Sequence, residues 1–156
     1  MKTKKELPLR IGVGIVLLNH ENKIFVGKRI DNPKNFWQMP QGGVDKNESL
    51  VHAAKRELEE ETGVKSVEVI KELDGWFQYE LPKYLLGKIW KGKYRGQNQK
   101  WFIMKFFGKI EEINIKTKNP EFLEWKWIKI IDLPKVAVNF KINIYKKIVE
   151  KLLNSI

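Results

Sequence analysis

The 156-residue chain has no cysteine and only two histidines. The first absence excludes disulfides and every thiolate metal site, and it leaves the compartment open. No apolar run approaches the roughly 18 residues of a membrane span, so no membrane association is expected. There is no internal repeat, low-complexity tract or linker. One domain over 1–156 is therefore expected, long enough to bury a sizeable core without covalent staples. No export signal is expected either. "MKTKK" followed by "IGVGIVLL" has the charge and apolar run of a short leader, but "NHENK" follows at once with no small-residue cleavage site. The run reads better as a buried strand ending in a polar turn. The expected location is the cytoplasm.

Acid is scarce as well. Lys and Arg number 30 against 19 Asp and Glu, a formal net charge of +11. Such a balance suits a polyanionic partner, through attraction to phosphate. It is also the composition of a chain that is simply Lys-rich and soluble. Against that background "GGVDKNESLVHAAKRELEEETGV", residues 42–64, packs Glu57, Glu59, Glu60 and Glu61 together.

Hydrophobic patterning organises the rest. Ile11–Leu18 and Lys23–Arg29 read as strands joined by a turn, "DNPKN" (31–35) as a loop, and "FWQMP" (36–40) as a short strand leading into Gly42–Gly43. Ser49–Thr62 is predicted to be a helix, capped by Ser49 or Asn47 and closed by Gly63. Leu50, Ala54 and Leu58 would form its core-facing stripe. Val67–Leu73, Trp76–Glu80, Trp101–Ile110 and Trp125–Ile128 read as strands. Ile142, Tyr145, Ile148, Val149 and Leu152 recur at helical spacing in a C-terminal helix from about 139 to 153. The class is α+β, a mixed sheet packed with helices.

On the first helix Glu57, Glu60 and Glu61 stand at i, i+3 and i+4, so three carboxylates share one face. Glu59 points elsewhere. Like charges so placed repel, and hard oxygen ligands at close range suit Mg²⁺ or Mn²⁺. A solvated acidic face would have the same local pattern. The wider spacing decides between them. Gly42, five residues, Glu48, seven residues, then Arg56-Glu57-Leu58-Glu59-Glu60-Glu61-Thr62-Gly63-Val64 matches the Nudix box GX5EX7REUXEEXGU, with U aliphatic, at every specified position. Chance agreement is on the order of one in 10⁸ per window.

The chain thus resembles the Nudix hydrolases. The resemblance implies the Nudix fold, a mixed β-sheet sandwiched between helices. It implies that Glu57, Glu60 and Glu61 hold divalent metal, with a carbonyl near Gly42 as a further ligand. Gly42 would allow a tight turn, Glu48 and Arg56 would pair to fix the loop on the helix, and Gly63 would end it. Six flanking segments fall in order: "WQMPQGG" (37–43), "YELPK" (79–83), "GQNQKWF" (96–102), "NPEF" (119–122), "EWKW" (124–127) and "VNFKINIY" (138–145). Together they resemble the bacterial RNA pyrophosphohydrolases, also described as dinucleoside polyphosphate hydrolases. That resemblance spans about Arg10 to Leu152. It implies removal of pyrophosphate from the 5′-triphosphate end of RNA, with Mg²⁺ as cofactor and a monomeric chain. It also implies that Glu121 reaches the metal cluster from a remote loop.

Within that frame Glu57 is the first candidate for general base, with Glu60 and Glu121 as rivals. Arg10, Lys28, Arg29 and Lys141 are candidate cationic contacts to the polyphosphate. Arg29 and Phe140 match positions that sandwich a base, and Phe140 equally suits the core. Lys83, Lys88, Lys91, Lys93, Arg95 and Lys100 interleave with Tyr84, Trp90, Tyr94 and Trp101, with no acid between 83 and 100. Such a segment suits an RNA surface, and also a Lys-rich loop over a strand with a buried Trp101. His20 and His52 receive no role, and Trp37 is assigned to the core. Two rivals remain: a dinucleoside polyphosphate hydrolase using the same acids, and a non-catalytic RNA-binding module.

Overall fold

Unbroken burial along the second half of the first strand sets the architecture. In β1 (Leu9–Leu18) Val13, Ile15 and Leu17 face one apolar cluster, while Val16 and Leu18 face another. A strand covered on both faces reads as a continuous apolar run, which is why Ile11–Leu18 resembled a leader core. The computed structural model describes residues 6–31 and 34–156. The "MKTKK" charge run and residues 32–33 of the predicted loop lie outside them.

Among the described residues the remaining elements are β2 (Ile24–Arg29), β3 (Gln41–Gly43), α1 (Leu50–Thr62), β4 (Val67–Glu72), β5 (Phe77–Glu80), β6 (Gly96–Phe106), β7 (Phe122–Ile128), α2 (Leu133–Val136) and α3 (Ile142–Leu153). The mixed sheet runs β4-β6-β1-β2-β7, with β3 paired to β1 and β5 to β6. Among the described residues β1 pairs with β6 in parallel and the other pairs are antiparallel. The β1–β2 turn is tied by Asn19, whose side-chain oxygen accepts from the Glu21 and Lys23 N–H groups at 3.0 and 2.9 Å.

Two layers of helix complete the sandwich. Ala53, Ala54 and Leu58 of α1 pack with Phe25, Phe102 and Met104 on one face. Ile144, Tyr145, Ile148 and Leu152 of α3 pack with Val26, Trp101 and Ile103 on the other. The expected mixed sheet between helices is therefore the fold. Among the described residues no helix is long and apolar enough to cross a membrane.

Several boundaries differ from expectation, among them the start of β7, at Phe122 rather than Trp125. Residues 36–40 form no strand; only Gln38 bridges, to Gly27, and the strand starts at Gln41. The Met39 N–H donates instead to the buried Tyr145 hydroxyl at 2.9 Å. Strand β6 begins five residues before Trp101 and ends at Phe106, short of Ile110. Its polar start is accommodated by a buried relay. Gln99 Nε2 donates to Gln97 Oε1 at 2.6 Å, and Trp101 Nε1 donates to Gln99 Oε1 at 3.1 Å. Residues 139–141 form a 3₁₀ turn ahead of α3.

Candidate active site

The box segment folds as a strand, a loop and a helix held by one guanidinium. Ser49 caps α1, accepting from the His52 N–H at 3.2 Å, and Gly63 ends it in the left-handed region with φ +76°. Arg56 donates to both Glu48 oxygens at 2.8 and 2.9 Å and to the Gly43 carbonyl at 3.0 Å. This pins the 43–48 loop to the helix. The Glu48 carboxyl, chiefly through the Arg56 hydrogen bonds, is held down at about 2. His52, exposed on the helix surface, adds a 2.8 Å contact to Glu48 that the sequence did not suggest.

Arg56 also reaches the acidic face, to Glu57 at 3.0 Å and Glu60 at 3.3 Å. The carboxylates on that face differ in setting. Glu60 is 58% exposed at its side chain, Glu57 is partly buried, and Glu61 is buried at 5% exposure. Glu59 is exposed and pairs with Lys65 at 3.7 Å. Gly42 of β3 lies directly against Glu57; a Cβ there would stand 2.0 Å from the Glu57 carboxyl carbon. Only glycine allows that approach.

Glu61 is the least compensated group. Its Oε2 is buried without a hydrogen-bond partner. Burial, then repulsion from Glu57 and Glu121, raises its carboxyl well above the ordinary range, with only partial relief from Arg29 and the Gln41 backbone. A buried, unpartnered carboxylate oxygen facing two more carboxylates is a place that favours a cation. The hard-oxygen donor set of Glu57, Glu60, Glu61 and Glu121 fits a divalent metal. Among the described residues, however, no three such side chains converge closely enough to form a metal cluster as they stand. Arg56 draws Glu57 and Glu60, and Arg29 Nη2 draws Glu121 at 3.2 Å.

Three of the predicted cations join this group. Arg29, at the end of β2, is clamped by both Asp31 oxygens at 2.7 Å as well as by Glu121. Lys141 is buried, with its ammonium 3.0 Å from Gln38 Oε1, 3.4 Å from Gln41 Oε1 and 5.6 Å from the Tyr79 ring centre. Burial, then Arg29, lowers it to about 7. Arg10 lies over the Trp90 ring at 5.3 Å, and its guanidinium abuts Gly43. Its charge acts on both Glu57 and Tyr79. Lys28 is not part of the group. It pairs with Glu124 at 3.0 Å and lies 5.1 Å over Trp37, which is buried as expected. Phe140 is half-buried with its ring centre 5.7 Å from that of Tyr79, packed on the α3-side core.

Asp31, Tyr79, Gln38 and Gln41 were not singled out from the sequence. Asp31, two residues from Arg29, carried the one local signal, an acid beside a candidate phosphate ligand. Tyr79 and the glutamines meet Lys141 only through the folding of the sheet.

A NUDIX domain model matches residues 8–148, and the chain belongs to the Nudix hydrolase family. Members of this family generally use divalent metal ions. The chain is 66% identical to the RNA pyrophosphohydrolase of Pelagibacter ubique (strain HTCC1062) over 149 residues, covering 96% of this chain and 94% of that protein. It is 43% identical over 151 residues to the RNA pyrophosphohydrolase of Orientia tsutsugamushi (strain Boryong), covering 97% and 94%. Among solved structures it is similar in fold to the E. coli dihydroneopterin triphosphate pyrophosphohydrolase. The TM-score is 0.69 at 18% identity, covering 92% of this chain and 98% of that one. A C. elegans Ap4A hydrolase gives a TM-score of 0.64 at 18% identity, covering 92% and 98%.

Proposed function

We propose that this protein removes pyrophosphate from the 5′-triphosphate end of RNA and leaves a 5′-monophosphate, which exposes the transcript to decay. The observation that carries the chemistry is the buried, unpartnered Glu61 oxygen, in a group that feels the charges of Glu57, Glu121 and Arg29 and acts on Lys141, with Arg10 acting on Glu57 beside it. The high identity to relatives named for this activity, over nearly the full length of both chains, supports the substrate.

Phosphoryl transfer needs positioning and charge neutralisation more than covalent help from the protein. Glu57, Glu60, Glu61 and Glu121 would hold Mg²⁺, or Mn²⁺ in its place. When bound, the metal neutralises phosphate oxygens and makes water a stronger nucleophile near neutral pH. Arg10 and Arg29 place fixed positive charge beside the polyphosphate, and Lys141 adds its ammonium when protonated. Glu57 accepts the proton of the attacking water as a new P–O bond forms and the bond to pyrophosphate breaks. Arg56, through Glu48 and the Gly43 carbonyl, sets the position of Glu57 relative to the β3 strand. Phe140 and Arg29 take the first bases between them. The same reading makes the protein a monomeric, cytoplasmic enzyme.

Glu57→Gln tests this. Pyrophosphate release from triphosphorylated RNA should fall by orders of magnitude while RNA binding persists; unchanged turnover in the variant would refute the metal-site assignment, whereas RNA binding without any turnover by the wild-type protein would favour a non-catalytic RNA module. Substrate preference is read by comparing that release with ATP release from diadenosine tetraphosphate at equal enzyme. Faster cleavage of the dinucleotide would overturn the RNA reading.

A further inference from the structure

The segment between β5 and β6, residues 81–95, contains no acidic residue. Lys83, Lys88, Lys91 and Lys93 are all exposed, and so is Tyr84 at 60%. None of these four lysines pairs with a carboxylate among the described residues. Yet the segment is folded. The Pro82 carbonyl accepts from the Leu85 and Leu86 N–H groups, and the Ile89 and Trp90 carbonyls accept from Gly92 and Lys93. Leu85, Ile89 and Trp90 pack onto the core cluster that also takes Tyr79 and Phe140. The apolar side chains therefore face in and the ammonium groups face out.

Trp90 sits in an uncommon backbone state. Its φ is +51° and that of Lys91 is +57°, a left-handed pair that bulky residues seldom adopt. The turn so formed presents the indole both to the edge of Tyr94, at 6.2 Å between ring centres, and to the Arg10 guanidinium at 5.3 Å. Arg10 is the cation that also acts on Glu57. The basic surface is thus fastened to the polyphosphate end of the site rather than placed at random on the molecule.

On the proposed reading a nucleotide polyphosphate at the site would already have Arg10, Arg29 and Lys141 as cationic contacts. Four more unpaired lysines and an exposed tyrosine continuing outward are in excess of what a small substrate can use. They suit a longer polyanion with stackable bases. We propose that residues 82–95 form a second binding surface, on which the single-stranded RNA chain beyond its 5′ nucleotides rests, joined to the phosphate site by the Trp90–Arg10 contact. The proposal rests on the RNA reading above.

The test removes three of the exposed charges with Lys83→Gln, Lys88→Gln and Lys93→Gln together. All three side chains are exposed, so a wild-type melting temperature is expected. Binding of a twelve-nucleotide, unstructured, 5′-monophosphorylated RNA is measured by fluorescence anisotropy in chelator, against a 5′-monophosphorylated dinucleotide. The longer RNA should bind about tenfold more weakly. The slope of its log affinity on log salt should shrink by about 2, at roughly 0.7 per lost single-strand contact. The dinucleotide should change less than about twofold. Unchanged affinity and slope for the longer RNA would overturn the proposal, and so would an equal loss for both lengths. Turnover of the triphosphorylated twelve-mer by the wild-type protein is a separate reading. A protein that binds the RNA through these lysines but releases no pyrophosphate would sink the proposed reaction and leave this surface standing.

Discussion

Gly42→Ala separates catalytic geometry from folding. The added methyl carbon would lie 2.0 Å from the Glu57 carboxyl carbon and 2.1 Å from its Oε2, whereas ordinary contact begins near 3.4 Å. The carboxyl group must therefore retreat by more than about 1 Å, a misplacement of the size that costs about 10²-fold in rate. That is about 2.7 kcal/mol of barrier. The fold has little to lose. Gly42 does not use a left-handed φ, and the atoms met are the far end of a flexible side chain. Replacing glycine where alanine's backbone is allowed gains about 0.4–1 kcal/mol from the unfolded chain. Pyrophosphate release should show kcat down about 100-fold and KM within about twofold, since Arg10, Arg29 and Lys141 are untouched. A thermal melt should stay within a few degrees of wild type. Wild-type kcat in a folded variant would refute the claim that the position of Glu57 against β3 governs the rate.

Glu61→Gln removes a buried, repelled carboxylate. Melting in chelator should rise, and the upward shift on adding Mg²⁺ should vanish; a retained Mg²⁺ shift would show that Glu61 is no ligand. Lys141 is held at about 7 against an ordinary 10.5. Between those values the unfolded chain binds the extra proton, so this group's contribution to stability rises with pH across the window, and the cost of charging the buried amine is fully present below about pH 7. Lys141→Met should therefore be most stabilising, relative to wild type, near pH 6.5 and progressively less so toward pH 10. Urea melts with an equal difference at both ends would reject this. Tyr145→Phe strands the Met39 N–H, whose 2.9 Å bond to the hydroxyl is buried. A loss of about 1–3 kcal/mol in urea melts is expected, with kcat nearly unchanged; no loss would mean another acceptor replaces the hydroxyl.

The acidic helix was legible because its information is local. Spacing along one helix places Glu57, Glu60 and Glu61 on a face, and Ser49 and Gly63 mark its ends. What spacing could not show is that these carboxylates differ, with Glu61 under the sheet and Glu60 in solvent. Strand β6 was misplaced because "GQNQK" is polar by composition. Its partners supply the reason it is a strand: β1 and β5 flank it, and Gln97, Gln99 and Trp101 satisfy one another inside. The Arg29–Glu121 pair joins residues 92 apart, and nothing in either neighbourhood announces the other. The pairing of Lys28 with Glu124 was hidden for a similar reason. The cross-strand register of Lys28 on β7 delivers it to Glu124.

The parallel pairing of β1 with β6 also orders events during synthesis. Leu9 lies beside Gly96 and Leu18 beside Lys105, a constant separation of 87 residues. An emerging chain must therefore carry its most apolar strand unpaired on that edge until residue 105 has left the ribosome. Helix α1 lies inside that interval, and at 13 residues it is marginal on its own until the sheet that buries Ala53, Ala54 and Leu58 is present. Glu57, Glu60 and Glu61 are therefore synthesised before β1 has its parallel partner, and Glu121 and Lys141 arrive later still. Long-range closure of this kind is slow and leaves strand edges open to other chains. The candidate site thus has all its residues only late in synthesis, after an interval in which β1 waits for its parallel partner.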